Sequence, residues 1–221
     1  MKTVIQQVMI GSGSMDRKAI DDSAFLSNTL IPTVKAYADK HGYDYKFIDT
    51  LDPVLDTLPE CIHLKGMKYC YEMFRHIGDI SYDRIVSMDA DLYIVPNAPP
   101  LPTVKAVGGA GLTVSPSLPW KEGRRLKITG GFYIFMQPDA TTICNYFKQR
   151  INNWQSDPVF INGEYHNEIM LAECLKDIPD IEYESVGYEW NWYHSEMVPG
   201  KHIYHITGED KQKRYQDFLK M

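Results

Sequence analysis

The chain has 221 residues, 44% of them hydrophobic, and a formal net charge of −6. That is enough apolar material for one substantial core, so a single domain over residues 1–221 is expected. The acidic balance excludes the basic footprint of a nucleic-acid binder and the polybasic patch of a membrane anchor.

Val4 to Ile10 reads as a first strand, stopped by Gly11-Ser12-Gly13-Ser14. Asp21 or Asp22 can cap a helix running to about Lys40, with Phe25, Leu26, Leu30, Val34 and Tyr37 at helical spacing. Pro32 kinks or divides it. His41-Gly42 ends this helix and Tyr43 to Ile48 forms a second strand. After a loop with Pro53 and Pro59, Gly66 to Ile77 reads as a helix with Met67, Cys70, Tyr71, Phe74 and Ile77 inward. Arg84 to Val95 reads as a third, continuous strand that carries Asp89 and Asp91. Strand and helix alternating in this way give an α/β fold with an open, mainly parallel sheet. In such sheets a ligand lies outside the carboxyl ends of the strands, close to where these two acids fall.

Past Val95 the chain turns proline-rich, with Pro96, Pro99, Pro100 and Pro102. Val104 to Gly108 and Gly111 to Val114 read as short strands, and Ile128 to Met136 as a longer one that contains Gly130-Gly131. Thr141 to Trp154 and Asn167 to Leu175 read as helices, Lys201 to Ile206 as a strand, and Lys211 to Lys220 as a last helix. No internal repeat or linker interrupts this order. No apolar run is long enough to cross a bilayer. The four cysteines, Cys61, Cys70, Cys144 and Cys174, form no C-x-x-C pair. Reduced, buried thiols and a cytoplasmic location are expected.

Asp89 and Asp91 stand in an apolar run, where two like charges are costly without a compensating cation. On an extended strand, residues two apart share a face, so both carboxylates can converge on one ion. Oxygen ligands suit Mn²⁺ or Mg²⁺. Without such an ion, the pair is a strand end in water. Gly11-Ser12-Gly13 follows a strand, but Asp16 stands where a dinucleotide fingerprint needs its third glycine. What remains is a plain turn, or a turn whose backbone at Ile10, Gly11 and Ser12 touches a nucleotide. Near the end, His205 offers an imidazole nitrogen to a metal, Gly208 permits close backbone approach, and Lys211 supplies an ammonium for phosphate oxygens. Taken separately these are a surface histidine, a turn glycine and a solvated lysine.

Met88-Asp89-Ala90-Asp91 followed by His205-x-x-Gly208-x-x-Lys211 resembles the retaining GT-A glycosyltransferases of the glycogenin and bacterial galactosyltransferase type. The likeness runs from Val4 to about Lys211. Lys65 or Lys68 stands where that family has a lysine in the helix before the acids. Thr129-Gly130-Gly131 stands for its Asn-Ser-Gly turn, Asn167-Glu168 for its Asp-Gln pair, and Asn191 for an asparagine ahead of the histidine.

The resemblance implies a Rossmann-like open mixed sheet flanked by helices. It also implies transfer of a sugar from a nucleoside diphosphate sugar, a UDP-sugar in many members, to an acceptor the sequence does not name. By the same resemblance, Asp89, Asp91 and His205 hold Mn²⁺ or Mg²⁺. Ile10, Gly11, Ser12, Lys68, Ala90, Gly131, Gly208 and Lys211 contact the donor. Asp91, Lys211 and Glu168 serve catalysis. Apart from the resemblance, the aromatic faces of Trp190 and Trp192, close to this motif in sequence, suit an acceptor wall. Competing readings are a sugar nucleotidyltransferase and a carbohydrate-binding domain without turnover.

Overall fold

A computed structural model describes residues 1–9, 23–53, 64–110, 112–113, 127–128, 130–153, 167–192, 198, 200–206 and 211–220. The expected Gly11–Ser14 turn, the Asp21 or Asp22 cap, Pro59, Cys61 and Thr129 lie outside the described residues.

The elements follow in order as β1 (Thr3–Val8), α1 (Ile31–His41), β2 (Asp44–Ile48), α2 (Leu64–Arg75), β3 (Arg84–Asp89) and β4 (Leu92–Ile94). Then come β5 (Val107–Gly109), β6 (Leu112–Thr113), β7 (Lys127–Ile128), β8 (Phe132–Met136) and α3 (Asp139–Asn152). The last are α4 (Asn167–Asp177), β9 (Tyr183–Ser185), β10 (Ile203–His205) and α5 (Lys211–Leu219). Pro32 divides its helix as expected. A π-helical turn over Leu26–Leu30 hands over to α1, where Pro32 sits in the first turn and needs no amide donor. Gly42 ends α1 in the left-handed region at φ +67°, which only glycine adopts without strain.

The central sheet has six strands in the order β2-β1-β3-β8-β5-β9. β1 pairs in parallel with β2 and β3, and β5 with β9, while β8 runs antiparallel to both β3 and β5. The sheet is therefore mixed and mostly parallel, with β8 alone running against the rest. Each face buries its own core, because successive residues of a strand point to opposite sides. Val4, Ile85, Tyr133 and Phe135 pack with Phe74 of α2, Phe147 of α3 and Leu171 of α4. Ile5, Val86, Met88 and Ile134 pack on the other side with Val34 and Tyr37 of α1, and with Leu101 and Trp190. The two glutamines of β1 are buried but bonded: Gln6 Nε2 donates to Met73 O at 2.9 Å, and Gln7 Nε2 to Asp89 O at 2.9 Å. Among the described residues no helix is long and apolar enough to cross a membrane.

Two strands expected as continuous are broken. The third ends at Asp89; Ala90 and Asp91 turn, and Leu92–Ile94 leaves the sheet to pair antiparallel with β10. The apolar residues after Asp91 belong to that second, two-stranded sheet. Likewise Ile128 and Phe132 lie on separate strands: β7 pairs with β6, while β8 joins the central sheet just after Gly131, which adopts φ +96°. Both breaks fall at the carboxyl end of β3, where they shape the candidate site.

Candidate metal centre

Asp89 is the last residue of β3, at the carboxyl end of a run of parallel strands. Asp91 stands two residues on, in the turn that opens β4. The pairing of β4 with β10 sets Leu92 opposite His205, and Ile206 N–H donates to Asp91 O at 2.9 Å. This antiparallel ladder delivers the imidazole to the two acids. Convergence thus comes from a turn and a cross-strand partner, rather than from alternation along one strand as the sequence implied.

His205 Nε2 lies 3.0 Å from Asp91 Oδ1 and 3.5 Å from Asp89 Oδ2. One ligand atom from each of the three residues lies within 4.8 Å of the others. Two carboxylate oxygens and one imidazole nitrogen form an open donor set. It fits Mn²⁺ well, and Mg²⁺ with fewer protein ligands and more water. His205 is buried, whereas the two acids keep partial exposure, so the cluster faces outward. Lys211, the first residue of α5, pairs with Asp91 Oδ2 and donates to Ile206 O at 3.1 Å.

The charges are interlocked. Burial works against the ionised form of Asp91. The His205 hydrogen bond and the charges of His205 and Lys211 outweigh it and hold the carboxyl well below its usual range. Burial likewise works against a charged His205, but its bond to Asp91 and the charges of both acids push it above its ordinary value. Without a metal, the acids are compensated by protein cations.

Gly131 forms the floor of the cluster. A Cβ there would stand 2.5 Å from His205 Cε1, 2.8 Å from Nδ1 and 3.2 Å from Asp89 Oδ2. Its carbonyl accepts the Asp89 N–H at 2.9 Å. On Gly130, by contrast, a Cβ would meet Glu168 Oε1 at 2.6 Å and Asn167 Oδ1 at 2.9 Å. Adjacent residues are 3.8 Å apart at Cα, so Glu168 and Asp89 carboxyl oxygens lie within about 13 Å of each other. Both carboxylates also act on one pair of buried groups. The Cys70 thiol and the Tyr133 hydroxyl are pushed up first by burial and further by the charges of Glu168 and Asp89. Glu168 opens α4, where a helix N-terminus favours an acidic side chain.

The structure therefore brings together Asp89, Ala90, Asp91, Gly131, His205 and Lys211, with Glu168 on the neighbouring glycine. Ile10, Gly11, Ser12 and Gly208 lie outside the described residues, as does the side chain of Lys68. Trp190 is no acceptor wall. It is 5% exposed and stacks on Phe132 in the core, with ring centroids 5.9 Å apart. His202 packs against Trp190 at 4.9 Å and takes no part in the cluster. Sequence reasoning read Gly130-Gly131 as a turn before a strand, with Gly131 against the donor, and missed Gly131 as the floor under His205. The available signal was the doubled glycine before an apolar strand, since a close approach needs a residue without Cβ.

No protein-family model and no curated protein matches the sequence. Among solved structures, the chain is similar to a glycosyltransferase involved in the glycosylation of the major capsid of PBCV-1, with a TM-score of 0.63 and 15% identity over 100% of both chains. It is also similar to the glycosyltransferase GlyE of Streptococcus pneumoniae TIGR4, with a TM-score of 0.54 and 10% identity over 97% of this chain and 60% of that one. At these identities the likeness is one of fold, and the fold is one that glycosyltransferases use.

Proposed function

We propose that this protein is a metal-dependent glycosyltransferase. It moves a sugar from a nucleoside diphosphate sugar, with a UDP-sugar the first to test, onto an acceptor with retention of configuration. The observation that carries this reading is the Asp89, Asp91 and His205 cluster at the carboxyl end of β3, in a fold shared with two glycosyltransferases. Retention rests on the motif order in the sequence.

Asp89 and Asp91 would hold Mn²⁺ or Mg²⁺ through carboxylate oxygens and His205 through Nε2. When bound, the ion supplies Lewis-acid stabilisation of the charge growing on the leaving diphosphate. Lys211 adds a positive charge at the same place, so that the leaving group needs no proton donor there. Gly131 keeps the His205 ring against the backbone. Glu168, across the Gly130–Gly131 turn, is assigned to the sugar side, where a carboxylate can stabilise positive charge at the anomeric carbon. Ile10, Gly11, Ser12, Lys68, Ala90 and Gly208 are assigned to nucleotide and diphosphate contacts. Cys70, Cys144 and Cys174 are free and buried, in keeping with a cytoplasmic setting.

The test is release of UDP from a panel of UDP-sugars with Mn²⁺, which EDTA should abolish and added Mn²⁺ restore. Activity undiminished by chelation would sink the metal assignment. Pyrophosphate release from UTP and a sugar phosphate would replace the reading with nucleotidyl transfer.

A further inference from the structure

We propose that Asn191 is a positioning residue for the metal cluster, acting through the Gly130–Gly131 peptide; the proposal rests on the metal reading above. Asn191 is 0% exposed. Its Nδ2 donates to Gly130 O at 2.5 Å, 61 positions away in the sequence. Its Oδ1 is buried and has no hydrogen-bond partner among the described residues. A carboxamide that leaves one polar atom unmatched is a poor choice for packing alone. The one bond it makes is aimed at the turn that carries the site.

The peptide plane explains what that bond does. Gly130 O and the Gly131 Cα belong to the same rigid unit. Fixing the carbonyl fixes the direction in which Gly131 presents itself to His205 and Asp89. Two adjacent glycines have more backbone freedom than any other pair, so this peptide needs an external clamp. The residues beside Asn191 hold the surroundings. Trp190 stacks on Phe132, the residue after Gly131, and Trp192 O accepts the His205 N–H at 2.9 Å. Three consecutive residues therefore grip the start of β8, the glycine turn and the end of β10. Of the three, Asn191 is the one bonded to the turn, on Gly130 O, while the Asp89 N–H holds the Gly131 carbonyl that follows.

The experiment is a Mn²⁺ titration of the full chain without any sugar nucleotide, read by electron paramagnetic resonance of the free ion. Thermal unfolding of the metal-free protein is measured alongside. Asn191→Ala removes the donor; Asn191→Asp keeps the shape but turns an oxygen toward Gly130 O. Each should lose roughly 10–100-fold in Mn²⁺ affinity, as expected when a group orienting a metal ligand is removed. Ile143→Ala, a truncation in the α3 core, should lower the melting temperature while keeping wild-type affinity. Asn191 variants that fold and bind Mn²⁺ like the wild type would overturn the proposal. So would failure of both to fold, or an Ile143→Ala variant whose affinity falls along with its stability. A wild type that binds no Mn²⁺ would instead bring down the metal reading, and this proposal with it.

Discussion

Replacing Gly131 with alanine puts a methyl group where the structure has least room. The new Cβ would lie 2.5 Å from His205 Cε1, about 1 Å inside ordinary carbon–carbon contact. Backbone cannot absorb the clash, because Gly131 already holds φ +96°. That conformation costs an L-residue roughly 1–3 kcal/mol. The imidazole must therefore swing away, and its 3.0 Å contact with Asp91 Oδ1 opens. With about 2 kcal/mol of strain, a chain of this size should melt roughly 4–8 °C lower without metal. Mn²⁺ affinity should fall roughly 10–100-fold, since the ring is displaced by its support. Gly130→Ala is the matched comparison. Its Cβ meets the ends of the Glu168 and Asn167 side chains, which can rotate away. It should bind Mn²⁺ as the wild type does and lose UDP release only. Calorimetric titration with Mn²⁺, paired with thermal unfolding, measures both effects. Wild-type Mn²⁺ affinity in Gly131→Ala would refute the placement of His205 over this glycine.

Further outcomes follow from the charges. Asp91→Asn leaves the cations of His205 and Lys211 without their shared carboxylate, so the metal-free protein should lose about 3–5 kcal/mol by urea unfolding, along with metal-supported turnover. Equal stability of mutant and wild type would argue against the ion pair. In the metal-free protein, Asp91 has a depressed folded pKa, so its stabilisation is present above an unfolded value of about 3.9 and is lost as pH falls through the folded one. His205 has a raised folded pKa, so its stabilisation is complete below about 6.5 and is lost as pH rises through the folded one. The cluster should contribute most between about pH 4 and 6.5; a His205→Ala protein with the same pH profile would contradict this. Glu168→Gln should keep Mn²⁺ affinity and lower the rate of UDP release at least tenfold; an unchanged rate would remove Glu168 from the chemistry.

Much of this was legible in the sequence because it depends on local chemistry. Gly42 marks the end of α1, Pro32 divides the preceding helix, and the buried strand β3 announces itself by its apolar run. Asp89, Asp91 and His205 were readable as candidate ligands because few arrangements tolerate acids in apolar surroundings without a cation. What could not be read was which apolar residues share a strand. Leu92 and Ile94 suit a continuation of β3 as well as they suit β4, and only the partner β10 decides between them. The role of Gly131 was hidden for the same reason: its crowding comes from His205, far along the chain. Trp190 looked like a sugar platform by residue type, yet the stack on Phe132 places it in the core.

Asp91 and Lys211 meet across 120 positions of sequence. A nascent or truncated chain ending before β10 would have its acids but neither the imidazole nor the ammonium that compensates them. Closing so long a loop is slow, and the contacts reward it only at the end. The cluster is thus complete only in molecules where β10 and α5 have docked, and an ion that binds it selects those molecules.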